Sequence, residues 1–134
     1  MSVDQFVAIR KSELPSAEVW DVAVSKLGFT IKIDPADFEE HTGYLPVHFL
    51  NQDTGFEFFL EEAGEFANSE IDFADRDVVV QFTTFSEELE GQCAMVCAAG
   101  LLACCDGIYF DEDSQIIRDS NELVSMAREW IAGS

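Results

Sequence analysis

Positive charge is what this sequence has least of. Seven Lys and Arg stand against 27 Asp and Glu in 134 residues, giving a formal net charge of −20 at pH 7. A field of that sign repels phosphate backbones and anionic lipid, so nucleic acid and membranes are excluded as partners. Long apolar runs are missing as well. The longest, inside residues 93–105, falls well short of the ~20 residues a membrane-spanning helix needs. The opening "MSVDQFVAIR" meets an acid at Asp4 before any apolar segment forms. No export signal is read there, and the expected location is the cytoplasm. Histidine is limited to His41 and His48. With no Ser-His-Asp arrangement and no phosphate-cradling glycine loop, the expectation is a non-enzymatic chain with no catalytic residue, cofactor or metal.

Cysteine is present only as Cys93, Cys97, Cys104 and Cys105. Three of these share one face of a single helical run, and adjacent cysteines fit disulfide geometry poorly. A reducing compartment disfavours a bridge further. Zinc thiolate sites draw ligand pairs from turns that wrap the ion, whereas Cys93 and Cys97 lie one turn apart in an apolar helix. Cys104 and Cys105 diverge by about a hundred degrees around the axis. A thiolate there is disfavoured by the helix carboxyl end and by Asp106. All four are therefore read as small buried hydrophobes. Asp111, Asp113, Gln115 and Glu122 match a calcium-loop spacing, but Ile116 stands where that loop needs glycine, so the match is attributed to chance in an acid-rich chain.

What the sequence does have is a strong apolar pattern: 48% hydrophobic residues and twelve Phe. A chain of this length buries a core without staples, and a single domain over 1–134 is expected. The stretch from Ser86 to Gly107 predicts a helix apolar on all sides, hence buried, over about 86–106. Ser86 is its expected cap and Gly107 its left-handed stop. Helices near 15–27 and 120–132 are amphipathic. The first carries Trp20, Ala23, Val24 and Leu27 inward and Glu18, Asp21 and Ser25 outward. The second is capped by Asp119, with Leu123, Met126, Ala127, Trp130 and Ile131 inward.

Strands are predicted at Gln5–Arg10, Phe29–Ile33, Tyr44–Leu50, Phe56–Glu61 and Asp77–Phe85. A hairpin turning at Glu112-Asp113-Ser114 follows the central helix, and a short helical turn is expected in "ADFEEH". The Tyr44 and Phe56 strands form a hairpin across "NQDTG", with Pro46 at an edge or bulge. The order β-α-β-β-β-β-α-β-β-α describes an α+β domain, a mainly antiparallel sheet packed against the buried central helix.

The charge is concentrated. Residues 34–113 hold Arg76 as their one basic residue against twenty acids, while residues 1–33 carry four of each sign. On alternation, the solvent side of the sheet shows His48, Glu57, Phe59, Glu61, Gln81 and Thr83. Phe59 between two glutamates suggests an aromatic anchor ringed by polar groups. The alternative is that it lies beneath segment 62–76, where Phe66, Ile71 and Phe73 are pinned, or that the sheet is covered on both faces. Candidate partner-binding residues are Glu57, Phe59, Glu61, Glu62, Glu65, Glu70, Asp72 and Asp75, with a second acidic cluster at 34–40.

The segments "TGYLPVHFLNQDTGFEFFLEE" and "AAGLLACCDGIYFDEDSQI" resemble small acidic bacterial α+β proteins encoded beside toxins, of the immunity type that neutralises a cognate toxin. The resemblance spans about the last two-thirds of the chain and transfers no site residue position by position. It implies a non-enzymatic protein that occludes a basic, toxin-like partner, with steering supplied by the acidic field. Two other readings compete. A small-molecule-binding or enzymatic domain would place a pocket between helix and sheet. A purely solvating role for the acids fits poorly with twelve Phe and with charge confined to one stretch.

Overall fold

The computed structural model describes residues 3–33, 40, 42–66, 72–85, 87–112 and 116–133. The elements run β1 (Val3–Ile9), α1 (Ala17–Ser25), β2 (Ile31–Ile33), β3 (Gly43–Phe49), β4 (Gln52–Glu62), β5 (Val78–Thr84), α2 (Glu88–Cys104), β6 (Ile108–Asp111), β7 (Ile116–Ile117) and α3 (Ser120–Ala132). Short 3-10 turns occupy Lys11–Glu13 and Ala63–Phe66. The seven strands form one sheet in the order β2-β3-β4-β5-β1-β6-β7, every pairing antiparallel among the described residues. This is the α+β architecture the hydrophobic periodicity requires.

β1 sits between β5 and β6 although neither follows it in sequence. Its run Val7, Ala8 and Ile9 is fully buried, as a strand covered on both faces must be. Inward from the sheet lie Val7, Ile9, Leu45, Phe56, Phe58, Val80 and Phe82, all buried. Against them packs α2, in which every residue from Gly91 to Leu102 is buried. Helices α1 and α3 flank α2. Trp20 projects from α1 into the core, its ring centroid 6.0–6.5 Å from Phe56, Phe58 and Phe82. Its Nε1 donates to the Cys97 carbonyl at 2.8 Å, which satisfies the one polar atom this burial would orphan.

Local chemistry moves several boundaries. Ser16 caps α1 by accepting the Val19 N–H, so Pro15 precedes the cap and does not open the helix. Asp21 does not face water alone: it accepts the Ile33 N–H at 2.8 Å and pairs with Lys32 Nζ at 3.2 Å, tying α1 to β2. The N-cap of α2 is Glu87, and Ser86 lies outside the described residues. Gly107 is not a left-handed stop. The helix ends where Cys105 turns extended (φ −132°, ψ 153°), its N–H still bonded to the Leu101 carbonyl. A Cβ at 107 would lie tight against the buried Ile9 and Val7 at 3.1 Å, so the position favours glycine through packing.

The β3–β4 hairpin turns at Leu50-Asn51, both at positive φ (52° and 65°), and not across "NQDTG". That is the handedness a two-residue hairpin requires, and it lets residues 52–55 continue β4 with Thr54 buried opposite Val47. Pro46 pairs with Gly55 just past the three residues that β2 pairs with. It therefore occupies an edge-like half of an interior strand. The short helical turn expected at 36–41 and the turn at 113–114 fall outside the described residues, apart from Glu40.

Candidate partner-binding face

The outer face of the sheet is divided, and the division decides which candidate residues act together. Rows of cross-strand neighbours run Phe59–Gln81–Phe6–Phe110 and Glu61–Val79–Ala8–Ile108. At the β1–β6 end these residues form a second apolar core. Ala8, Val79, Ile108 and Phe110 are buried, with Phe6, Ala63, Phe66 and Phe73 packed over them. Phe6 and Phe110 stack at 4.8 Å, and Phe66 meets both edge-on at 5.4 and 5.9 Å. The sheet is thus covered on both faces there.

A charged cluster fastens this cover at the strand ends. Arg10 forks onto Asp75 (2.7 and 2.8 Å) and reaches Glu13 at 2.8 Å and Asp106 at 3.2 Å. The guanidinium holds the carboxyls of Asp75 and Glu13 below the usual carboxylate range. Arg76 is buried and bonds both the side chain and the carbonyl of Asp106. Asp77 accepts the Lys11 N–H at 2.7 Å.

At the β3–β4 end the face is open. Tyr44, Pro46 and His48 are exposed on β3, while Glu57, Phe59 and Glu61 are half-buried on β4. Successive outward residues on a strand stand about 7 Å apart, so the three β4 side chains make one ridge. Tyr44 lies opposite Glu57, with its ring over Gly55. A Cβ at Gly55 would come within 2.7 Å of the Tyr44 ring and run into the Leu45 carbonyl. His48 pairs with Asp53 at 3.1 Å. A cleft of about 470 Å³ opens beside these residues, lined by Lys32, Tyr44, His48 and Asp53 among others.

Of the residues singled out from sequence, Glu57, Phe59, Glu61 and Glu65 belong to this open region. The neighbouring Glu65 carboxyl raises the Glu61 carboxyl above its ordinary value, with burial adding to the effect. Glu62 ends β4, turned by alternation to the opposite face, and is exposed. Asp72 accepts the Ala74 N–H at 2.8 Å, while Asp75 belongs to the Arg10 cluster. Glu70 and most of the 34–40 cluster lie outside the described residues. Thr83, expected to face solvent, is buried, and its hydroxyl is satisfied by donating to Asp4 at 2.6 Å. Tyr44 was not singled out, although the inward alternation of Leu45, Val47 and Phe49 already placed it outward.

Among the described residues no Lys, Arg or His lies within ion-pair distance of Glu57, Glu61, Glu62 or Glu65. No helix there is long and apolar enough to cross a membrane, and no group of three His, Cys, Asp or Glu could hold a metal ion. Cys93 and Cys97 are buried, as packing residues should be, whereas Cys104 is exposed and Cys105 is buried beside it, their sulfurs 3.8 Å apart. Asp111 ends β6 and Glu122 opens α3, while Asp113 and Gln115 of the calcium-like spacing are outside the described residues. The chain matches no family model and no curated protein.

Proposed function

We propose that this chain is a non-enzymatic binding protein that engages a basic protein partner through the open half of its outer sheet face. One observation carries the reading: among the described residues Glu57, Glu61 and Glu65 have no cationic neighbour, Glu57 and Glu61 flank Phe59 along β4, and Tyr44 is exposed across from Glu57. Carboxylates left uncompensated on a rigid sheet suit lysines and arginines supplied from outside, and the −20 field speeds the encounter. Phe59 and Tyr44 are the aromatic anchors that slow dissociation. Neutralisation of a toxin by occlusion is the biological form suggested by the resemblance of the middle and carboxyl segments to immunity proteins.

The experiment is capture of basic proteins from source lysate at low and high salt, with wild type and a Glu57→Lys/Glu61→Lys/Glu65→Lys variant. A partner held at low salt by wild type and lost by the variant supports the reading. Equal capture by both sinks it.

The competing ligand-binding or enzymatic reading has its own observation, the cleft that gathers Lys32, Tyr44, His48 and Asp53. Thermal-shift screening against a metabolite library tests it, and a flat response counts against that class.

A further inference from the structure

From the exposed stripe of α1 we infer that this protein forms a symmetric homodimer through that helix. The surface lies on the helix layer, away from the proposed partner face, and does not depend on that reading. Val19 and Val22 are about half exposed (53% and 51%), large values for valines near the middle of a nine-residue helix. Beside them a groove of about 530 Å³ runs between α1 and the end of α2, floored by Ala103 and Cys104. Glu18 stands at one end of the stripe and Lys26 at the other.

A second copy is the occupant because the stripe complements itself. Antiparallel apposition of two α1 helices about a twofold axis through Val22 brings the two Val22 side chains together. Glu18, four residues before Val22, then faces Lys26, four residues after it, on the second copy, and the reciprocal pair forms on the other side of the axis. A parallel or shifted apposition loses both pairs. Charge distribution points the same way. Residues 1–33 carry equal numbers of acids and bases, whereas residues 34–113 carry twenty acids against Arg76. A second copy therefore meets the least repulsion at α1. The contact is small, which places the dimer in the weak, concentration-dependent class.

The sign of its salt dependence separates it from partner capture. Two chains of charge −20 repel over long range, and added salt screens that repulsion. The dimer strengthens between low and physiological salt, where capture of a basic partner weakens.

The test is sedimentation equilibrium of the full chain up to about 1 mM, where a weak complex is populated. Wild type shows a monomer–dimer equilibrium. Reversal of one charge, in Glu18→Lys or Lys26→Glu, turns two attractive pairs repulsive and weakens the dimer about tenfold. The two variants mixed in equal amounts recover it, because each then supplies what the other lacks, and Glu18→Lys/Lys26→Glu recovers it alone. Val22→Asp, at an already exposed position where folding is retained, abolishes it. In parallel, alkylation of Cys104 slows as wild-type concentration rises. A monomer at every concentration overturns the inference, as do charge variants that dimerise like wild type without mixing. A Cys104 alkylation rate independent of concentration overturns it too, leaving the groove to a ligand or another protein.

Discussion

Replacing Gly100 by alanine tests the contact that seats α1 on α2. Inside a helix, alanine is favoured over glycine by about 0.8–1 kcal/mol, so propensity alone calls the change stabilising. The structure reverses the sign. A Cβ at position 100 runs into Val24 Cγ2 and comes within 3.3 Å of Trp20 Nε1. Neither neighbour can yield. Val24 is fully buried and its branched side chain holds one rotamer, and Trp20 is fixed by its 2.8 Å bond to the Cys97 carbonyl. Overpacking of this kind costs about 1–3 kcal/mol, leaving Gly100→Ala destabilised by about 1 kcal/mol net.

Gly91→Ala is the matched control. Its Cβ would sit 2.5 Å from Trp130 Cη2, the far end of an indole that is only half-buried on α3. That ring is half-buried and bonded at 3.1 Å to the exposed Glu88 carboxylate, a looser setting than that of Val24, so propensity and clash come nearer to cancelling. Urea denaturation of both variants, analysed by linear extrapolation, should separate them by about 1–2 kcal/mol. Heating should separate them by about 3–5 °C for each kcal/mol at this chain length. Val24→Ala in the Gly100→Ala background should recover part of the loss, a coupling of about 1 kcal/mol. Gly100→Ala as stable as Gly91→Ala, or no coupling to Val24, would refute the close approach of the two helices.

Stability should depend on pH in two opposed windows. Glu61 is raised in the fold, so its protonation stabilises as pH falls from neutral toward the ordinary carboxyl range, and Glu61→Gln should remove that rise in a melting-temperature profile. Asp75 and Glu13 are lowered, so their contribution is present above the unfolded carboxyl range and is lost as pH drops through their folded values. Arg10→Ala should flatten this acid limb. Arg10→Lys should restore it only in part, because an ammonium cannot fork onto Asp75. A thiol reagent on the native chain should react fast with Cys104, whose thiol is lowered by the Cys105 contact, and reach Cys93 and Cys97 only on unfolding. Cys104→Ser should abolish the fast phase, and a fast phase that survives would show another thiol to be accessible.

Much of the candidate face could be read from alternation. Leu45, Val47 and Phe49 inward imply Tyr44, Pro46 and His48 outward, and Phe56 and Phe58 inward imply Glu57, Phe59 and Glu61 outward. Period two says which side of a strand a residue faces, but not what lies over that side. Residues equally outward by pattern therefore met different fates. Phe6 was covered by Phe66 and Phe110, and Thr83 was buried against Asp4, while Glu57 remained in the open half.

The order of elements, the burial of α2 and the inward faces of the strands follow from the chain's local pattern. Those depend on local periodicity and on a helix with no polar side to present to water. That β1 enters between β5 and β6 is settled by folding in three dimensions, because strand neighbours are chosen by contacts between distant residues. Folding also decided that Asp75 answers Arg10 from 65 residues away, and that Phe66 and Phe73 close one half of the outer face. The same packing turned the four cysteines, alike in sequence, into two core residues, one capped thiol and one open to solvent.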